Sequence, residues 1–74
     1  TMSQFVLPDE TKRAIIEQRL AQFNAEGYQH ELNLQTAQLA GNTEQVEASE
    51  AAIVVLQEAI SAHETILAEI APAQ

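Results

Sequence analysis

The chain has no cysteine and no tryptophan, only two glycines, two prolines, one tyrosine and two phenylalanines, and only three basic residues in 74. Each scarcity excludes something. Without cysteine there are no disulfides and no thiolate metal sites, and compartment cannot be read from redox usage. Three aromatics are thin for a compact globular core. Three cations against eleven acids give a net charge of −8, a surface that repels nucleic-acid backbone and anionic membrane. No direct nucleic-acid partner and no membrane partner are therefore expected. No uninterrupted apolar run reaches 18 residues, so no membrane span is expected. The start, "TMSQFVLPDE", has neither a basic n-region nor a long h-region, so a secretory leader is not expected either. The expected location is the cytoplasm.

Ala, Glu, Gln and Leu dominate, and 46% of residues are apolar. This composition suits helices packed on helices. A lone chain of this length is marginal without reinforcement. With disulfides gone, oligomerisation is the reinforcement that remains.

The punctuation predicts two helices. Pro8 is tolerated in a first turn, and Asp9 and Glu10 suit the positive helix end. Phe5, Val6 and Leu7 precede it as an apolar arm, within an N-terminal segment 1–8. From Asp9 to Ala40 the only breaker is Gly27. Then "GNTEQ" (Gly41 to Gln45) supplies a helix stop and at once a helix start, Asn42 or Thr43 being a good N-cap. The second helix runs from 43 to about Ala71, where Pro72 ends it. The expected fold is all-α: an antiparallel hairpin, 9–40 against 43–71, with a continuous helix through Gly41 as the rival. Folding about 41–42 sets Phe23 near Ile60, Leu20 near His63, Ile16 near Leu67, Leu34 near Ser49 and Gly27 near Leu56. Gly27 is read either as a bend or close approach, or as an inexpensive glycine in a long helix.

Helix 2 carries the clearest pattern. Val46, Ser49, Ile53, Leu56, Ile60, His63, Leu67 and Ile70 recur at alternating steps of three and four, a heptad seam. Its apolar surface is wider than one seam, because Ala52, Ala59 and Ile66, then Ala48, Val55 and Ala62, flank it. Helix 1 has two faces. Ile16, Leu20 and Phe23 continue into His30, Leu34 and Ala37; nearly opposite lie Ala14, Ala21, Ala25, Tyr28, Leu32 and Leu39. One face serves the sister helix and the other needs a partner. A homo-oligomeric coiled-coil bundle is expected, two hairpins forming four helices being its simplest form.

Catalysis has little support: there is no Cys, no triad-like setting for Ser and no phosphate loop. The chain reads as non-enzymatic and without a cofactor. His30 and His63 fall on seam positions, where a polar residue sets register; the sharper reading is a metal ligand or pH switch made by symmetry-related copies. Neither "HELNLQ" nor "HETILAE" is an H-E-x-x-H motif, and no Glu precedes either His by three. Lys12, Arg13 and Arg19 occupy the first three turns of helix 1. In an oligomer they could clamp a phosphate, as in small viral nucleotide-sequestering proteins built as oligomeric hairpins. The plainer expectation is pairing with Asp9, Glu10 and Glu17, or with Glu64 and Glu69 across the hairpin. A solvated acidic face is expected from the irregular Glu spacing, with imitation of DNA as the sharper alternative.

"EQRLAQFNAE" (Glu17 to Glu26) and "EAAIVVLQEAI" (Glu50 to Ile60) resemble short phage or prophage coiled-coil proteins. Those have an "RL-x-Q" start and a later "AI-x-x-L-x-x-x-I" run. The likeness covers about a third of the chain. The chain departs from that pattern by the insert around Gly41 and by the lack of basic residues after Arg19. The resemblance implies a phage-encoded accessory protein directed at a host protein partner, with no active site to carry over.

Overall fold

A computed structural model describes residues 5–70. It is an all-helical hairpin: α1 spans Asp9–Ala40 and α2 spans Thr43–Glu69, packed antiparallel. The N-terminal part of the arm, 1–4, lies outside the described residues, as does Ala71, but α2 already stops at Glu69, short of the expected end.

α1 starts at Pro8, whose carbonyl accepts the first helical bond from the Lys12 N–H at 3.0 Å. Asp9 and Glu10 then stand in the first turn, where the helix dipole favours negative charge. The helix runs on without a break through Gly27. A Cβ built on Gly27 meets nothing within 4 Å. Neither a bend nor a close helix approach therefore demands this glycine; the inexpensive reading applies.

The reversal is made by two residues. Gly41 sits at φ 70° and ψ 24°, the left-handed conformation that costs glycine least. Its N–H bonds the Gln38 carbonyl at 3.2 Å, and the Asn42 N–H bonds the Ala37 carbonyl at 2.9 Å. That pair of bonds is a complete Schellman stop. Asn42 then caps α2, its Oδ1 accepting from the Gln45 N–H at 3.2 Å. α2 ends at Glu69, with Ile70 extended and its N–H on the Leu67 carbonyl at 3.1 Å. Pro72 lacks an N–H for a helical bond and disfavours helical backbone just before it.

The seam between the helices is the expected one. Ile16, Leu20, Phe23, His30 and Leu34 of α1 are half-buried, as are Val46, Ile53, Leu56, Ile60, His63 and Leu67 of α2. Ile70, just past the end of α2, is half-buried too. Phe23 meets His63 edge-on, with ring centroids 4.9 Å apart, and shares a groove with Ile60. Among the described residues, though, only Ala37 and Ser49, 4% and 2% exposed, are fully buried. Two side chains that small are not a core. The molecule is a slender rod of 50 × 22 × 17 Å with a radius of gyration of 16.3 Å, where a compact chain of this length would have about 11 Å.

α2 also differs from expectation. It is 27 residues long, and one 18-residue window has a mean hydropathy of 1.3, enough by length and composition to cross a membrane. Counting uninterrupted apolar runs missed this, because Ala, Val, Ile and Leu outweigh the few acids between them when averaged.

Candidate functional site

No single cleft dominates the hairpin. Its candidate surface is what the seam leaves uncovered. Tyr28 is 61% exposed, Leu39 91%, Val55 63% and Ile66 48%. Leu32 and Val54 are exposed as well. The thirteen apolar positions singled out from the sequence thus divide. Ile16, Leu20, Phe23, Ile53, Leu56, Ile60, Leu67 and Ile70 lie half-buried at the seam, while Tyr28, Leu32, Leu39, Val55 and Ile66 face outward.

The outward residues form two stripes. On α1, Ala14, Ala21, Ala25, Tyr28, Leu32 and Leu39 follow the face away from α2, and all are exposed. On α2, Ala48, Ala52, Val55, Ala59, Ala62 and Ile66 follow a line about a quarter turn from the seam, by the helical rotation per residue. Of these, Ala52 and Ala59 are half-buried and the rest exposed.

The total exposed surface is 5858 Å². A compact monomer of this mass would expose about 4,500 Å². The excess is larger than the roughly 800 Å² that each partner contributes to a standard protein interface.

A groove of about 660 Å³ opens at the free end of the hairpin. Phe5 and Leu7 of the arm, Ile15 and Ile16 of α1, and Ile66 and Ile70 form its apolar walls; Lys12, Arg19 and Glu69 also line it. The basic trio is therefore split. Lys12 and Arg19 share the groove, whereas Arg13 falls three residues before Ile16, on the seam line, and is half-buried. The pairing expected with Asp9, Glu10, Glu17, Glu64 and Glu69 is not made by Lys12 or Arg19 among the described residues. Arg19 instead directs Nη1 to His63 Nε2 at 3.3 Å. The long guanidinium arm reaches across the seam, where the imidazole lies nearer than any carboxylate partner.

His63 is held from three sides. Its Nδ1 lies 2.7 Å from the Ala59 carbonyl oxygen, Arg19 approaches Nε2, and Phe23 stacks on the ring edge. A carbonyl only accepts and a guanidinium only donates. The arrangement therefore fits a neutral ring with its proton on Nδ1. His63 thus links the two helices through Arg19 and Phe23. Among the described residues, no three His, Asp or Glu side chains gather as a metal site.

A second groove, about 380 Å³, lies over Gly27 between Phe23, Tyr28, Leu34, Ile53, Leu56 and Ile60. The Arg19–His63 bridge and these grooves escaped sequence reasoning. The heptad placed the seam correctly, but side-chain reach across it is not encoded in spacing.

Comparison with known proteins adds no assignment: no family model, no curated protein and no solved structure matches the chain.

Proposed function

We propose that the protein is a non-enzymatic accessory protein that binds a protein partner while assembled as a homo-oligomeric coiled-coil bundle. The observation that carries this reading is the apolar surface outside the seam on both helices, on a hairpin whose only fully buried described residues are Ala37 and Ser49. A rod so thinly cored gains most of its stability by covering those stripes. The resemblance of "EQRLAQFNAE" and "EAAIVVLQEAI" to phage coiled-coil proteins favours a phage-encoded origin and a host protein as target. A cytoplasmic location fits, because Glu58 stands near the middle of α2 and a charge at mid-bilayer costs about 2.5–3.5 kcal/mol.

Light scattering at high micromolar concentration tests the assembly, and a clean monomer would defeat it. Pull-down from host lysate tests the binding role, with a specific partner lost on Tyr28→Glu or Leu39→Glu as the expected result.

A second reading rests on the groove at the free end. Lys12 and Arg19 share it with apolar walls, which suits a phosphate carried on a planar apolar body, such as a nucleotide. In this reading the oligomer is a sponge for that ligand. Thermal shift with a panel of cyclic nucleotides tests it. Stabilisation that disappears in Lys12→Ala and Arg19→Ala is expected; no stabilisation by any of them retires it. Ile66 belongs both to this groove and to the α2 stripe, so ligand and partner would contend for the same side chain.

A further inference from the structure

We infer that the outer stripe of α2 is an isologous interface: a second copy of this chain docks on it antiparallel, α2 against α2, in one defined register. This inference rests on the self-association proposed above and names the surface that performs it.

The stripe reads Ala48, Ala52, Val55, Ala59, Ala62, Ile66. Turned end over end about position 57, it matches itself. Ile66 of one copy meets Ala48 of the other, Val55 meets Ala59, and Ala52 meets Ala62. Every large side chain falls opposite a methyl group, which is how antiparallel seams close at even spacing. A parallel pairing would instead set Ile66 on Ile66 and Val55 on Val55 between layers of Ala on Ala. Those layers alternate wide and narrow and cannot close together. One step beyond each end, the same register places Gln45 of one copy beside Glu69 of the other, an amide donor next to a carboxylate.

The occupant follows from three facts. A surface that is its own complement is what a two-fold interface requires. Val55 and Ile66 are 63% and 48% exposed on the hairpin, so they are available. The rod as a whole exposes more surface than a compact chain of its mass, by more than each partner in a standard interface gives up, and covering this stripe returns part of that excess. Glu58 works against the pairing, because the two copies of it come close together beside the axis, and so does Glu44, which the same register sets beside Glu69 of the other copy. Those costs are small at exposed positions and are screened by salt.

The test uses the whole chain. Sedimentation equilibrium of the wild type at high micromolar concentration is expected to show self-association. Ala62→Glu and Ala48→Glu, both at exposed positions, are expected to weaken it at least tenfold in Kd while helicity is retained; Ala68→Glu, off the stripe, is expected to leave it unchanged. Because the chain has no native cysteine, Ala52→Cys and Ala62→Cys chains can be mixed and oxidised. Cross-linking in the mixture, and far less in Ala52→Cys alone, is expected. Self-association that survives Ala62→Glu, with no 52–62 cross-link, overturns the α2 interface and leaves the bundle reading standing on α1. A monomer throughout overturns both. Flotation of the wild type with phosphatidylcholine vesicles would also overturn it, by assigning the stripe to lipid.

Discussion

Gly27 and Asn42 show how differently two breaker-type residues can matter. Gly27 lies inside a continuous helix, and an added Cβ would meet open space. Gly27→Ala is therefore expected to stabilise the hairpin by about 1 kcal/mol, the difference in helix propensity. Thermal unfolding followed by circular dichroism should show a rise of several degrees. A fall would mean that the groove over Gly27 must stay open for a partner's side chain. Asn42 caps the first turn of α2 through Oδ1, so Asn42→Ala is expected to cost about 1 kcal/mol. At this scale the sequence was legible where the chemistry is local. "GNTEQ" encodes stop, reversal and cap within five residues. The seam position of His63 was legible, but its contact with Arg19, 44 positions away, was not.

At the scale of the element, the two helices differ in how they use their faces. α1 sets seam and outer stripe nearly opposite one another; α2 sets them about a quarter turn apart. Seam positions should hold the hairpin and stripe positions should not. Phe23→Ala removes a half-buried ring and its edge contact with His63, and is expected to cost about 2 kcal/mol. Leu39→Ala, at a position 91% exposed, is expected to stay within about 0.5 kcal/mol. Urea denaturation at low micromolar concentration checks both, and equal losses would mean that Leu39 is covered even there. The seam was readable because period 3.5 survives in Val46, Ile53, Leu56, Ile60 and Leu67. The hydropathy of α2 was misjudged because acids spaced along its polar strip hide the average from a search for unbroken runs.

At the scale of the whole molecule, charge and shape act against each other. The net charge of −8 is carried wholly beyond Arg19, so bringing copies together concentrates negative charge. Raising the salt from about 20 mM to about 500 mM is expected to strengthen self-association, because screening weakens that repulsion while apolar burial persists. The unfolding temperature should also rise with protein concentration; a concentration-independent value would mean that the hairpin stands alone. The left-handed residue at the tip has one more effect. Ala37 and Val46 are nine residues apart, half a turn out of step along an unbroken helix. Ala14, Ala21, Ala25, Tyr28, Leu32 and Leu39 are instead in step with Val46, Ile53, Leu56, Ile60, Leu67 and Ile70, with Asn42 bridging them. A single torsion thus selects which of two greasy lines on α1 is read together with α2: a bent pin joins one, a straight rod the other. Gly41→Ala, which penalises the left-handed angle by about 1–2 kcal/mol, should tilt the chain toward the rod. Small-angle scattering would then register a particle stretching from 50 Å to about 90 Å.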